Sequence, residues 1–224
     1  LGVVGVAPSC ALYSLGVFDD NGVGQWSRVI AAMDWAVTNG LQVVNLSLGS
    51  SKNPGTAVKT AFDNAEAAGI VIAAAAGNSG NTAGKGDNII YPAKYASVIA
   101  VGATDSNDKR ASFSSTGSAL ELMAPGVSVL STWNDSTSPH DPQPICVDGV
   151  CYYKYGSGTS MASPHVAGVA ALVIAKGVAD ANGNSRINDE VRQKMNSTAQ
   201  DLGATGRDPQ YGYGLVNAAA AVAP

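Results

Sequence analysis

Residues 70–76, Ile-Val-Ile-Ala-Ala-Ala-Ala, are apolar without a break. A strand with no polar alternation is buried on both faces, so it needs cover above and below. The flanking sequence supplies that cover. Trp26, Val29, Ile30, Met33 and Val37 fall at helical spacing, and Asn39-Gly40 ends the helix. Residues 41–48 read as a strand. Val58, Phe62 and Ala65 mark a second helix, stopped at Gly69. Residues 97–103 read as another strand, and residues 11–18 as one before the first helix. Strands alternating with helices imply right-handed crossovers and a parallel sheet. The expected fold is therefore α/β: three layers, with a central, mostly parallel sheet flanked by helices.

The later sequence is less regular. Residues 134–155 are rich in Ser, Pro, Asp and Tyr and read as a surface insertion. A small-residue helix is expected over about 160–176. Asn188 reads as the N-cap of another helix, with Asp189 and Glu190 in its first turn. A last helix spans 216–222. No repeat or linker divides the 224 residues, so one domain is expected over 1–224.

Composition narrows the function. A net charge of −4 without a basic run argues against nucleic acid. The apolar run is too short to span a bilayer, so no membrane partner is expected. The opening LGVVGVAPSC lacks the basic n-region of a signal peptide. Cys146 and Cys151 flank Val-Asp-Gly-Val, and Asp-Gly is a favoured two-residue hairpin turn. Such a turn sets the two cysteines opposite each other at a non-hydrogen-bonded pair, where a disulfide fits. This predicts an oxidising, extracellular setting. Cys10 is left as a small buried hydrophobe or the partner of a cysteine elsewhere.

The chemistry centres on residues 158–168, GTSMASPHVAG. A Ser at the start of a helix is ordinarily only a cap. It also sits where unpaired N–H groups and the helix dipole favour negative charge. An oxyanion formed by attack of Ser160 would be stabilised there. All eleven positions resemble the nucleophile motif of the subtilisin-like serine protease family. The segment AAAAGNSG at 73–80 is similar to the family's oxyanion segment, and the resemblance gives Asn78 the side-chain donor's role. LGVVGVAPS, YPAKYASVIAVGATDS, ASFSSTG, MAPGVSVLST and YGYGLVNAAAAV also look like family segments, in family order.

The resemblance implies the remaining assignments. Ser47, Leu48 and Gly49 line one wall of the specificity pocket, with Ala74, Ala75, Ala76 and Gly77 opposite. Gly22, Val23 and Gly24 pair with extended polypeptide substrate, which edge backbone can bind whatever its sequence. No organic cofactor is expected, but structural calcium is. Leu1 and Val3 resemble carbonyl ligands of one calcium loop, and Ala93, Tyr95 and Val98 those of a second, weaker cation site. The family is secreted, and a propeptide inhibitor and a monomeric state are expected.

In family order the catalytic Asp and His precede the Ser, and this sequence starts after both expected positions. They are expected upstream of Leu1, on a preceding segment or a separate chain. His165 lies five residues past Ser160, about 140° away around the helix, and cannot serve as its base. It reads as a hydrogen-bonded core His, and His140 as an exposed residue of the insertion. The chain alone is thus expected to be inactive. The alternative is a pseudoprotease that binds peptide without cutting it. An esterase needs Gly-x-Ser-x-Gly, and Ala162 stands where the second Gly belongs. Finally, Asp180, Asn182 and Asn184 alternate like a calcium loop. Gly is absent at the sixth position and Glu at the twelfth, so a polar surface loop is the expectation.

Overall fold

The computed structural model describes residues 3–133, 145–147 and 150–223. Helix α1 (Trp26–Thr38) leads into β1 (Val43–Leu46), α2 (Thr56–Ala67), β2 (Val71–Ala75), β3 (Ile99–Thr104) and β4 (Leu120–Pro125). These four strands form one parallel sheet in the order β1-β2-β3-β4. Strand β2 is buried at every residue. Ile70, Ile72, Ala74 and Ala76 face the α1–α2 side with Met33 and Phe62. Val71 and Ala73 face the other side, where α3 (Thr159–Lys176) and α4 (Asn188–Thr198) pack. The unbroken apolar run thus fills two cores at once, as a central strand must. The three-layer α/β fold is the one expected.

Two expectations need correction. Residues 11–18 form no strand; their only backbone bridge joins Phe18 to Gly24, while Tyr13 lies 5.9 Å from Trp35, ring centre to ring centre, and Val17 packs against the core. No described strand lies beside them, and Leu12 stays 90% exposed. Apolar pattern without a ladder partner does not make a strand. Asn188 is the first residue of α4, not its cap, which is Ile187. Asp189 and Glu190 do occupy the first turn. The last helix is short, α5 (Ala218–Ala221), capped by Asn217 Oδ1 accepting from Ala220 N at 3.0 Å.

A second sheet lies past β4. Strand β5 (Val129–Thr132) pairs antiparallel with β7 (Val150–Gly156), which pairs with β6 (Ile145–Val147). The register sets Val147 opposite Val150 and Cys146 opposite Cys151. The expected hairpin is therefore present in the backbone, while its turn at 148–149 and residues 134–144, His140 among them, lie outside the described residues. Helix α4 is pinned to β4 by a nearly buried ion pair. Arg192 donates to Glu121 through Nε (2.6 Å) and Nη2 (2.5 Å), and Asn196 Nδ2 adds a third bond (2.9 Å). Removing Arg192 would leave Glu121 charged and buried, a loss of about 3–5 kcal/mol.

Candidate active site

The site forms where the C-terminal ends of the parallel strands meet the N-terminus of α3. Gly158 precedes the helix with φ 155 and donates to Gly126 O (2.8 Å), just past β4. Asn78 follows β2 after Gly77. Its Oδ1 accepts from Thr159 N and from Thr159 Oγ1, both at 2.9 Å. Thr159 Oγ1 in turn accepts from Gly77 N (3.1 Å). With its oxygen held by two donors, the Asn78 amide must turn its Nδ2 the other way. That nitrogen lies 3.3 Å from where a Cβ on Gly158 would stand, a point 3.7 Å from Ser160 N. Ser160 is the second residue of α3, so its N–H is among the orphan donors of the helix start. Asn78 Nδ2 and Ser160 N therefore border one space in front of Gly158, and Ser160 itself is half-buried.

A proline completes the turn. Pro164 stands inside α3, four residues after Ser160. It has no N–H for the carbonyl of Ser160, which a helix would otherwise satisfy from that position. Ser47 Oγ donates to that carbonyl instead, at 2.7 Å. Ser47 Oγ accepts from Asn45 Nδ2 (3.1 Å), and Asn45 Oδ1 accepts from Ser163 Oγ (2.5 Å). The end of β1 is thereby tied to the turn bearing Ser160. The resemblance placed Ser47 in a pocket wall and did not anticipate this hydroxyl bond. The signal was available: a proline four residues past a helical residue always frees that residue's carbonyl.

The other expected residues fall around this centre. Gly49 lies against Tyr91 O, and a Cβ there would approach that oxygen to 2.4 Å. This close approach belongs to the Ser50–Tyr91 bridge, with N–H···O distances of 2.9 Å both ways. Leu48 is half-buried, while Ala74, Ala75, Ala76 and Gly77 are buried beside it at the end of β2. Gly22, Val23 and Gly24 form an exposed turn held by Asp19 Oδ1, which accepts from Asn21 N and Val23 N. Trp26 packs against the core.

His165 is half-buried, and its Nδ1 bonds Met161 O at 2.8 Å. It makes no bond with Ser160. The expected metal ligands are less well met. Leu1 lies outside the described residues, and Val3 is exposed. Val98 O accepts from Arg192 Nη2 (3.4 Å) and Tyr95 O from Val98 N (3.1 Å). A guanidinium beside the Val98 carbonyl repels a second cation, so Ala93, Tyr95 and Val98 fit a metal poorly. Cys10 is exposed rather than buried. Among the described residues no helix is long and apolar enough to cross a membrane.

Residues 1–214 match the model of the Subtilase family. The chain belongs to the subtilase family. Subtilisin DY of Bacillus licheniformis is 48% identical over 220 residues, covering 98% of this chain and 71% of that protein. A subtilisin of Bacillus pumilus is 47% identical, with 99% and 71% covered. Subtilisin E of Bacillus subtilis is 46% identical, with 99% and 51% covered. The solved structure of a lanthipeptide protease superposes with a TM-score of 0.79 at 28% identity, covering 97% of this chain and 71% of that one. This subtilase chain is thus akin to serine proteases along nearly all of its length.

Proposed function

We propose that residues 1–224 form one peptidase domain, with a surface insertion at 134–155, that cleaves extended polypeptide through a Ser160 acyl-enzyme. The observation that carries this reading is the orientation of Asn78. Thr159 holds both lone-pair directions of its amide oxygen and leaves its nitrogen facing the space before Gly158 that Ser160 N also borders. A purely structural turn Asn has no need to present an unpaired donor to the space next to a helix-start serine.

The steps assigned to this chain are three. Ser160 Oγ attacks the scissile carbonyl. Asn78 Nδ2 and Ser160 N–H take the developing negative charge. Ser47, Leu48 and Gly49 on one side, and Ala74 to Gly77 on the other, hold the residue before the cut, while Gly22 to Gly24 pair with substrate backbone. The proton of Ser160 goes to a His paired with an Asp, as in the family, and this base is not His165. That proton passes to the leaving amine as the scissile C–N bond breaks, and water then hydrolyses the acyl-enzyme. Serine without such a base is a poor nucleophile at neutral pH. Secretion, a propeptide inhibitor, a monomeric state and a calcium loop including Leu1 and Val3 complete the proposal by family resemblance. A pseudoprotease that binds peptide without cutting it is the second reading, since the same cleft residues would serve it.

Asn78→Leu tests the mechanism in enzyme supplied with the family's Asp and His. An oxyanion bond strengthens only as charge develops, so its loss lowers kcat and leaves KM nearly unchanged. The expected fall is about 100- to 1000-fold, a range carried over from subtilisin, where this donor has been measured, and not obtained from the present geometry. A fall under about fivefold, with lowered folding stability, would make Asn78 a turn residue only.

A further inference from the structure

The connection from α3 to α4 gathers oxygen atoms around itself. Residues 180–190 read Asp-Ala-Asn-Gly-Asn-Ser-Arg-Ile-Asn-Asp-Glu. The Asp180 carboxylate accepts from Gly183 N (2.7 Å), Asn184 N (3.2 Å) and Ser185 N (2.8 Å), so the chain winds around it. Ser185, sixth from Asp180, has φ 64. That left-handed conformation is the one calcium loops obtain from Gly at the sixth position. The missing Gly has therefore not prevented the winding. Asn182 and Asn184 both donate through Nδ2 to Asp189 Oδ2.

Those bonds alone describe a polar turn. Two carboxylates behind it require something more. Glu190 is only 8% exposed. Its Oε1 accepts from Ala181 N (3.0 Å) and Asn182 N (3.3 Å), which turns the carboxylate into the loop. Its Oε2 is buried with no partner, and so is Asp189 Oδ1. The neighbouring cation does not help. Arg186 Nη1 donates to Ala67 O, and its Nε has no partner. No ion pair among the described residues reaches Asp180, Asp189 or Glu190. Buried anionic oxygens without a donor or counter-ion are costly, and a cation between them removes the cost.

We propose that residues 180–190 form a calcium site, with the Asp189 and Glu190 carboxylates as its charged ligands and the side-chain oxygens of Asn182 and Asn184 beside them, on a loop that Asp180 winds. The donors are all hard oxygens, without Cys or His, as calcium prefers. Several donors on a pliable loop suit calcium better than magnesium, which demands a small, near-octahedral shell. No three His, Cys, Asp or Glu side chains among the described residues already form a metal cluster. Asn182 and Asn184 now donate to Asp189, so their amides must turn and present their oxygens as the ion enters. The ion would fasten the loop to the first turn of α4, the helix that Arg192 fixes to β4.

Hydrogen exchange on the whole protein reads the site locally, apart from any other calcium site. Calcium should slow exchange at the amides of residues 181–185 relative to chelator. At a calcium concentration about 100 times Kd, opening of an ion-stabilised loop becomes about 100-fold rarer. The Asp189→Asn, Glu190→Gln double variant should bind one calcium fewer per chain by equilibrium dialysis and lose this slowing. Unchanged exchange in the unmodified loop with and without calcium would overturn the proposal, as would unchanged stoichiometry in the variant. Equal slowing by magnesium would overturn the choice of metal.

Discussion

At the scale of single residues, the site depends on what its neighbours leave free. Thr159 takes the Asn78 oxygen, Pro164 frees the Ser160 carbonyl, and Gly158 leaves a space next to Asn78 Nδ2. Gly158 is needed twice, for its φ of 155 and for that space. Gly158→Ala puts a methyl group 3.3 Å from the Asn78 nitrogen, where the oxyanion would lie. We expect kcat to fall by at least about 100-fold, as when an oxyanion donor is lost. Binding of a peptide aldehyde, whose hemiacetal oxygen needs the same space, should weaken in step. Inhibitor affinity equal to that of the unmodified enzyme would show that this space is not the oxyanion hole. Ser160 and Asn78 stood out in the sequence because their motifs are long. Thr159 did not, because its partner is 81 residues away.

At the scale of elements, β2, α1, α2 and α3 were legible because local pattern and final burial agree. The unbroken apolar run is buried on both faces, and the helical spacings face one core each. β4 was not named as a strand, for a physical reason. Glu121 breaks its apolar pattern and is buried only because Arg192, 71 residues on, neutralises it. Residues 11–18 failed in the opposite way, with strand composition but no described strand to pair with beyond the single Phe18–Gly24 bridge. The β6–β7 hairpin joins both lessons. Its Asp-Gly turn gave the register, and the register sets Cys146 opposite Cys151. Opposed positions of an antiparallel pair meet the Cα separation a disulfide needs. Non-reducing peptide mapping should recover residues 146 and 151 on one linked fragment. Recovery of both as alkylatable thiols would leave the hairpin held by its backbone alone.

At the scale of the molecule, the parallel sheet directs the ends of β1 and β2 toward the start of α3, and family membership follows from that whole arrangement as well as from the motifs. Large apolar side chains remain outside the two cores in the first 40 residues: Val4 is 82% exposed, Tyr13 57% and Phe18 50%. Ser160 likewise has no described His within its turn to accept its proton. The central claim is that Ser160 is the nucleophile and draws on a base other than His165. Diisopropyl fluorophosphate reports this directly, since it phosphorylates only an activated serine. Residues 1–224 alone, and the same residues supplied with the family's Asp and His, are treated in parallel and the adduct is mapped by mass spectrometry. The account predicts an adduct on Ser160 in the second preparation, lost in Ser160→Ala, and labelling of the first about 10²- to 10⁴-fold slower, the usual contribution of a general base. Equally fast labelling of Ser160 in residues 1–224 alone, or an adduct on another serine, would contradict it.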